Sequence, residues 1–251
     1  MIRSSHSDLI ELFAGLGIVA GDRVMVHSFV PSLGLVEGGI ATVYRALADS
    51  LGLRGTLIVP TFTYSLRRAE VFDPRSSTSQ VGAFSEYVRR LPEAVRSTCP
   101  MFSIAAIGPD ATLLTARRST NCFGRDSIYE TLFAMDVKFV GLGVDWDEGY
   151  TFFLHLERLA SIPMRQDQAF FGTSRDWHGG EFADTAVHYV RREDLAWRRD
   201  RGPLCRELVA QGFVREVVVR GAAHRLFPAA DVGPAVAARL RADPWCMAVR
   251  L

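Results

Sequence analysis

Arg23–Ser28 (RVMVHS), Phe29–Gly39 (FVPSLGLVEGG) and the helical stretch Ile40–Leu51 decide the fold. The first run reads as a buried strand, the second as a glycine-bearing turn, and the third as the helix that this turn opens. Such a turn at the carboxyl end of a strand aims unpaired backbone N–H groups and a partial positive charge at one point. That point suits a phosphate or the amide-rich arm of a nucleotide-like cofactor. The same glycines, Gly34, Gly38 and Gly39, also suit a tight connection with no ligand at all. A rival cluster, Gly15, Gly17 and Gly21, follows a helix and precedes a strand, the wrong order for a dinucleotide fingerprint.

Outward from this unit the β-α rhythm repeats. Thr56–Pro60 (TLIVP) precedes a helical Ala83–Arg90, Phe102–Gly108 precedes Ser127–Ala134, and Val137–Val144 follows. The second half changes character, with strands expected at Thr185–Arg191 and Phe213–Arg220, a charged helical stretch from Arg192 to Gln211, and a closing helix over Ala229–Arg241. The pattern predicts a layered α-β-α fold of the α/β class, its central sheet mixed and more antiparallel in the second half. With no repeat and no low-complexity linker, residues 1–251 read as one domain.

Bulk properties exclude several functions. The 29 basic residues balance 28 acidic ones, so a net charge of +1 offers no field for gathering a nucleic acid or an anionic membrane. Lys138 is the single lysine, and the arginines are scattered rather than striped. The start is amphipathic (Leu9, Ile10, Leu12, Phe13 and Leu16 among His6, Asp8 and Glu11) and reads as a helix over Met1–Ala20, not a signal peptide. Cys99, Cys122, Cys205 and Cys246 lie far apart and read as cytosolic thiols, placing the chain in the cytoplasm. No Gly-x-Ser-x-Gly elbow, Walker lysine, His-Glu-x-x-His or EF-hand loop occurs, and the six histidines lack ligand spacing, so no metal is expected.

Val24–Gly39 followed by Gly55–Thr63 (GTLIVPTFT) resembles the opening of the aminoglycoside 3-N-acetyltransferase family, which carries His-Ser, Leu-Gly and Gly-Gly in this order and a Pro-Thr-Phe-Thr strand end. The likeness continues through Phe72–Pro74, Gly82–Glu86, Arg96–Pro100, Ser103–Asp110, Gly124–Leu132 and Thr151–Glu157 (TFFLHLE), and reaches Gly221–Phe227 and Asp243–Pro244. It thus spans the chain in order. The resemblance implies an acyltransferase with acetyl-CoA or another acyl-CoA as co-substrate, a small-molecule amine acceptor (an aminoglycoside or amino sugar), and a role in antibiotic resistance. A homodimer is compatible with it.

Read through that family, His27, Ser28, Ser32, Leu33 and Gly34 would take the pantetheine and diphosphate. Thr61, Thr63 and Ser103 would lie beside the thioester, where hydroxyls orient the cofactor or support an oxyanion. His155 would be the general base, because a free imidazole titrates near neutrality, and Glu157 would hold its tautomer. Asp145, Asp147 and Glu148 (DWDEG) would face a cationic acceptor. Three departures accompany the match. The family histidine precedes its glutamate by three residues, whereas His155 precedes Glu157 by two; Cys99 stands where a histidine is common; and the connection from Thr63 to Phe72 is short. Two other readings stay open: an α/β hydrolase using Ser28 or Cys99 as nucleophile, and a non-catalytic module that binds coenzyme A.

Overall fold

The computed structural model describes residues 3–251. Its first helix, α1 (His6–Leu16), opens on a capping box in which Ser5 and Asp8 satisfy each other's backbone N–H, and Leu9, Leu12, Phe13 and Leu16 form its buried stripe. Met1 and Ile2, included in the expected helix, lie outside the described residues. Strand β1 (Arg23–Ser28), helix α2 (Ile40–Leu51) and strand β2 (Thr56–Pro60) have the bounds read from the sequence. Gly38 and Gly39 lead into α2 with φ of 75° and 66°, a left-handed region that side chains avoid.

The chain continues through α3 (Ala83–Arg89), β3 (Val95–Arg96), β4 (Ile104–Ile107), α4 (Ala111–Thr115), α5 (Ile128–Ala134), β5 (Lys138–Leu142) and α6 (Phe152–Leu159). A hairpin of β6 (Arg165–Arg175) and β7 (Glu181–Arg191) follows, then α7 (Gly202–Ala210), β8 (Arg215–Val219), β9 (Ala222–Pro228) and α8 (Ala229–Ala242). Seven strands form the main sheet in the order β8-β9-β5-β1-β2-β4-β3. The three central strands β5, β1 and β2 run parallel, while both flanks pair antiparallel. The mixed sheet agrees with the expectation; the antiparallel β3 and β4 in the first half are an addition to it. One apolar cluster on α1 and α2 packs one face, and a larger one that includes α5, α6 and α8 packs the other, which is the three-layer arrangement that buries both faces of a parallel core.

One expectation for the second half is corrected and one strand is added to it. Arg165–Arg175 (RQDQAFFGTSR) is an eleven-residue strand outside the main sheet that pairs with β7 and meets Phe72 through an isolated bridge at Ser174. Arg192–Gln211 is helical only over α7, because Trp197–Arg199 instead pairs antiparallel with Ala248–Arg250 near the chain's end. That pairing sets Arg199 and Arg201 beside the loop that follows β5.

Candidate active site

Parallel strands leave their carboxyl ends open to ligands, and a cavity of about 420 Å³ lies where β1 ends. His27 and Ser28 face it from β1, Phe29, Pro60 and Phe62 give it apolar walls, and Asp145, Glu148 and Thr151 close the side formed by the loop from β5 to α6. Close approach of the chain builds this corner. Gly143 has φ of 63°, and a Cβ there would lie 2.0 Å from the Ser32 hydroxyl, so only glycine lets β5's end meet the bend after β1. A second cavity of about 320 Å³ adjoins the first and shares Tyr64, Glu148 and Thr151 with it. Its remaining lining is mostly charged: Arg67, Arg165, Arg199, Arg201 and Asp147, with Leu154 and His188.

His27 Nε2 lies 3.3 Å from the Thr151 hydroxyl, which also meets the hydroxyl of Tyr129. Its Nδ1, like the Ser28 hydroxyl, has no hydrogen-bond partner among the described residues. Burial lowers the His27 pKa to about 4, so the ring is neutral at neutral pH. His188 reaches the second cavity from β7, its ring 4.7 Å from that of Phe102 and its Nδ1 likewise unpartnered among the described residues. Burial first, then the charges of Arg165 and Arg67, lower it to about 4.

Of the residues expected to hold the cofactor, only His27 and Ser28 line the cavity. Thr61, Thr63 and Ser103 are turned away from it. Thr61 and Ser103 exchange a hydrogen bond at 2.9 Å and both take the Nε–H of buried Arg96 at 3.2 Å, while Thr63 donates to the Pro100 carbonyl at 2.8 Å. The physical reason is the period of extended chain: Pro60, Phe62 and Tyr64 face the cavity, so the alternate residues Thr61 and Thr63 face the interior. Ser32, Leu33 and Gly34 shape the bend instead. Leu33 is core, the Ser32 hydroxyl donates to the Leu142 carbonyl at 3.4 Å, and Gly34 caps a short 3₁₀ turn. The acidic residues fare better, with Asp145 and Glu148 on the first cavity and Asp147 and Glu148 on the second.

The expected His155–Glu157 pair does not form. Two residues apart on α6, they leave the helix on different faces. His155 is 2% exposed, packs beside Tyr129 and Phe133, and accepts the Gly124 N–H at Nδ1 over 3.2 Å. Burial, only partly offset by Glu130, lowers it to about 4. Glu157 is buried between Arg165 at 2.6 Å and Arg201 at 3.1 Å. Thr151 and Leu154 are the α6 positions that face the cavities. The residue three before Glu157 is thus Leu154, so this chain presents leucine at the position where the family spacing puts histidine.

Sequence reading missed His188, Arg67, Arg199 and Arg201. The altered spacing before Glu157 signals that His155 is out of the family register, but nothing local points to β7. For the hydrolase alternative, the Ser28 hydroxyl has no imidazole partner among the described residues, and Cys99 is buried against Cys122, the contact that most lowers its pKa, off both cavities. Among the described residues no cluster of three or more metal-ligating groups occurs and no helix is long and apolar enough to cross a membrane.

The layered sheet, with cavities at the carboxyl ends of its parallel strands, defines a ligand-binding α/β domain. Comparison then narrows the class: the family profile described as aminoglycoside 3-N-acetyltransferase matches residues 25–241, and the chain belongs to that family. Among curated relatives, aminoglycoside N(3)-acetyltransferase VII of Streptomyces paromomycinus is 38% identical over 63% of this chain and 62% of that protein. Aminoglycoside N(3)-acetyltransferase III of Pseudomonas aeruginosa is 32% identical over 64% and 66% respectively, so the match spans just under two thirds of either relative. The crystal structure of aminoglycoside acetyltransferase AAC(3)-Xa superposes with a TM-score of 0.83 at 27% identity, covering 95% of this chain and 93% of that one.

Proposed function

We propose that this protein transfers an acetyl or similar acyl group from coenzyme A to an amino group of an aminoglycoside or amino sugar, by direct attack of the amine on the thioester. The relatives named above are N-acetyltransferases, and the observation that carries the reading for this chain is the pair of joined cavities. The first suits a pantetheine arm: apolar walls flank it, and the polar side chains of Asp145, Glu148 and Thr151 close one side toward the amide groups. The second suits a polar acceptor, and Glu148 and Thr151 stand where the two meet.

Bound acetyl-CoA supplies the activated carbonyl and a thiolate leaving group. His188 is the imidazole of the acceptor cavity, and its neutral state at pH 7 leaves it free to take a proton. As the N–C bond forms and the C–S bond breaks, His188 removes the proton from the attacking nitrogen and passes it to the departing thiolate. Glu148, at the junction, accepts a hydrogen bond from the neutral amine and so orients its lone pair. His155 and Glu157 serve the packing of α6.

The test is release of free thiol from acetyl-CoA with a panel of amines. In His188→Gln, kcat should fall about 100-fold or more while the KM for acetyl-CoA stays within about twofold. Unchanged kcat in that variant removes His188 from the mechanism. Absence of thiol release with every amine, together with no calorimetric affinity for coenzyme A, removes the acyl-transfer reading.

A further inference from the structure

The acceptor cavity carries an arrangement that a polycationic acceptor does not explain. Four guanidinium groups line it, facing the carboxylates of Asp147 and Glu148 and backed by buried Glu157. Arg165 and Arg201 share that single Glu157 carboxylate, and Arg201 Nε has no partner among the described residues although Arg201 is 2% exposed. Arg199 bonds only to the Asp147 carbonyl, and its Nε too is unpartnered among the described residues. Arg67 makes no side-chain hydrogen bond or ion pair with any described residue, yet it reaches this cavity and the neighbouring one along the hairpin. On the acidic side, Asp147 Oδ1 is occupied by the Arg201 backbone N–H at 2.8 Å, and exposed Glu148 sits at the junction with the first cavity.

We infer that Arg67 and Arg199, backed by Arg201, form an anion subsite, so that the acceptor is an amine that also bears a carboxylate or phosphate. The planar fork of a guanidinium matches both groups through two parallel hydrogen bonds. Four guanidiniums outnumber the two carboxylates in the lining, and Arg67 has no counter-ion among the described residues. A zwitterion can set its amine by Glu148 at the junction and its anion by Arg67, whereas an all-cationic aminoglycoside meets the surplus of like charge. Burial, together with Arg201 and Arg165, lowers the Arg199 pKa to about 10, which leaves it charged at neutrality.

This inference rests on the acyl-transfer reading for where the amine goes, but its binding arm does not need turnover. Glucosamine is compared with glucosamine 6-phosphate and with its 6-carboxylate counterpart, by thiol release from acetyl-CoA and by calorimetry without the donor. At least one of the two anionic amines should bind tenfold or more tightly than glucosamine and show a correspondingly lower KM. Arg67→Gln and Arg199→Gln should each erase most of that preference while the KM for acetyl-CoA stays within about twofold. Arg165 and Arg201 are left intact because their loss strands Glu157 in the core. Should the variants instead raise the KM for acetyl-CoA but not for acetyl-dephospho-CoA, the arginines serve the coenzyme's own phosphate and the inference is overturned. Equal use of all three amines, unaffected by either variant, overturns it as well and leaves acyl transfer standing. Preferential binding of an anionic amine without thiol release supports the subsite and overturns the transfer reading instead.

Discussion

The two adjoining cavities differ in how they are made. The first is a product of the parallel core: β1 and β2 end beside each other, and among the described residues its polar side chains are those of His27, Ser28, Tyr64, Asp145, Glu148 and Thr151. The second is assembled from parts far apart in sequence, the hairpin at Arg165 and His188, the loop at Asp147, and the short ladder that holds Arg199. The sheet itself fixes the first; a hairpin and loops outside the sheet furnish the second. What this teaches is that the charge of the second cavity can be changed without touching the strands that build the first.

The largest effect should come from the buried charge beneath the acceptor cavity. Glu157→Gln leaves Arg165 and Arg201 without their shared carboxylate, and stability should fall by about 3–5 kcal/mol in a denaturant titration. A loss below about 1 kcal/mol would mean that water already reaches those guanidiniums, and the contrast between a built acceptor wall and a solvated one would fail.

Acid should weaken both sides alike. His27 at the first cavity, His188 at the second and His155 behind α6 all have folded pKa values of about 4, against about 6.5 when unfolded. The unfolded chain therefore binds protons that the folded one refuses. Stability is full above about pH 6.5 and is lost as pH falls toward 4, on the order of 3 kcal/mol for each ring by that point. Denaturation at pH 7.5 and at pH 4.5 reads the difference, and a flat profile would place all three rings in contact with water.

Gly143→Ala sharpens the comparison on the donor side alone. The new methyl meets the Ser32 side chain, and the backbone keeps φ at 63°, a conformation that costs an alanine about 1–3 kcal/mol. The KM for acetyl-CoA should rise with little change in the KM for the amine. Equal increases in both would mean that the corner supports the two cavities together.

How much of this was legible follows the same division. β1, α2 and β2 were readable to the residue because their apolar runs and flanking glycines are local signals. Arg165–Arg175 was not, since a strand that lies outside the main sheet and stays largely exposed has no core to impose alternation on its sequence. Trp197–Arg199 owes its strand to Ala248–Arg250, a pairing no local window contains. The Pro-Thr-Phe-Thr end leads to the cavity, yet Pro60 and Phe62 line it and Thr61 and Thr63 do not, because a motif gives position but not which face of the chain the cavity takes.

The smallest expected effect is on the residue that sequence alone made most attractive. In His155→Asn the carboxamide oxygen stands near the place of Nδ1 and can still accept the Gly124 N–H. The side chain lies behind the helix turn whose Thr151 and Leu154 face the cavities, so no acceptor nitrogen reaches it without displacing Tyr129 or Phe133. Initial rates of thiol release should therefore stay within about twofold of the parent, far from the 100-fold that loss of a general base produces. The same variant should also lose its share of the acid sensitivity, since the ring that refuses a proton is gone. A collapse of kcat with circular dichroism and thermal midpoint intact would return the base to α6, and the division of labour between hairpin and helix would have to be reversed.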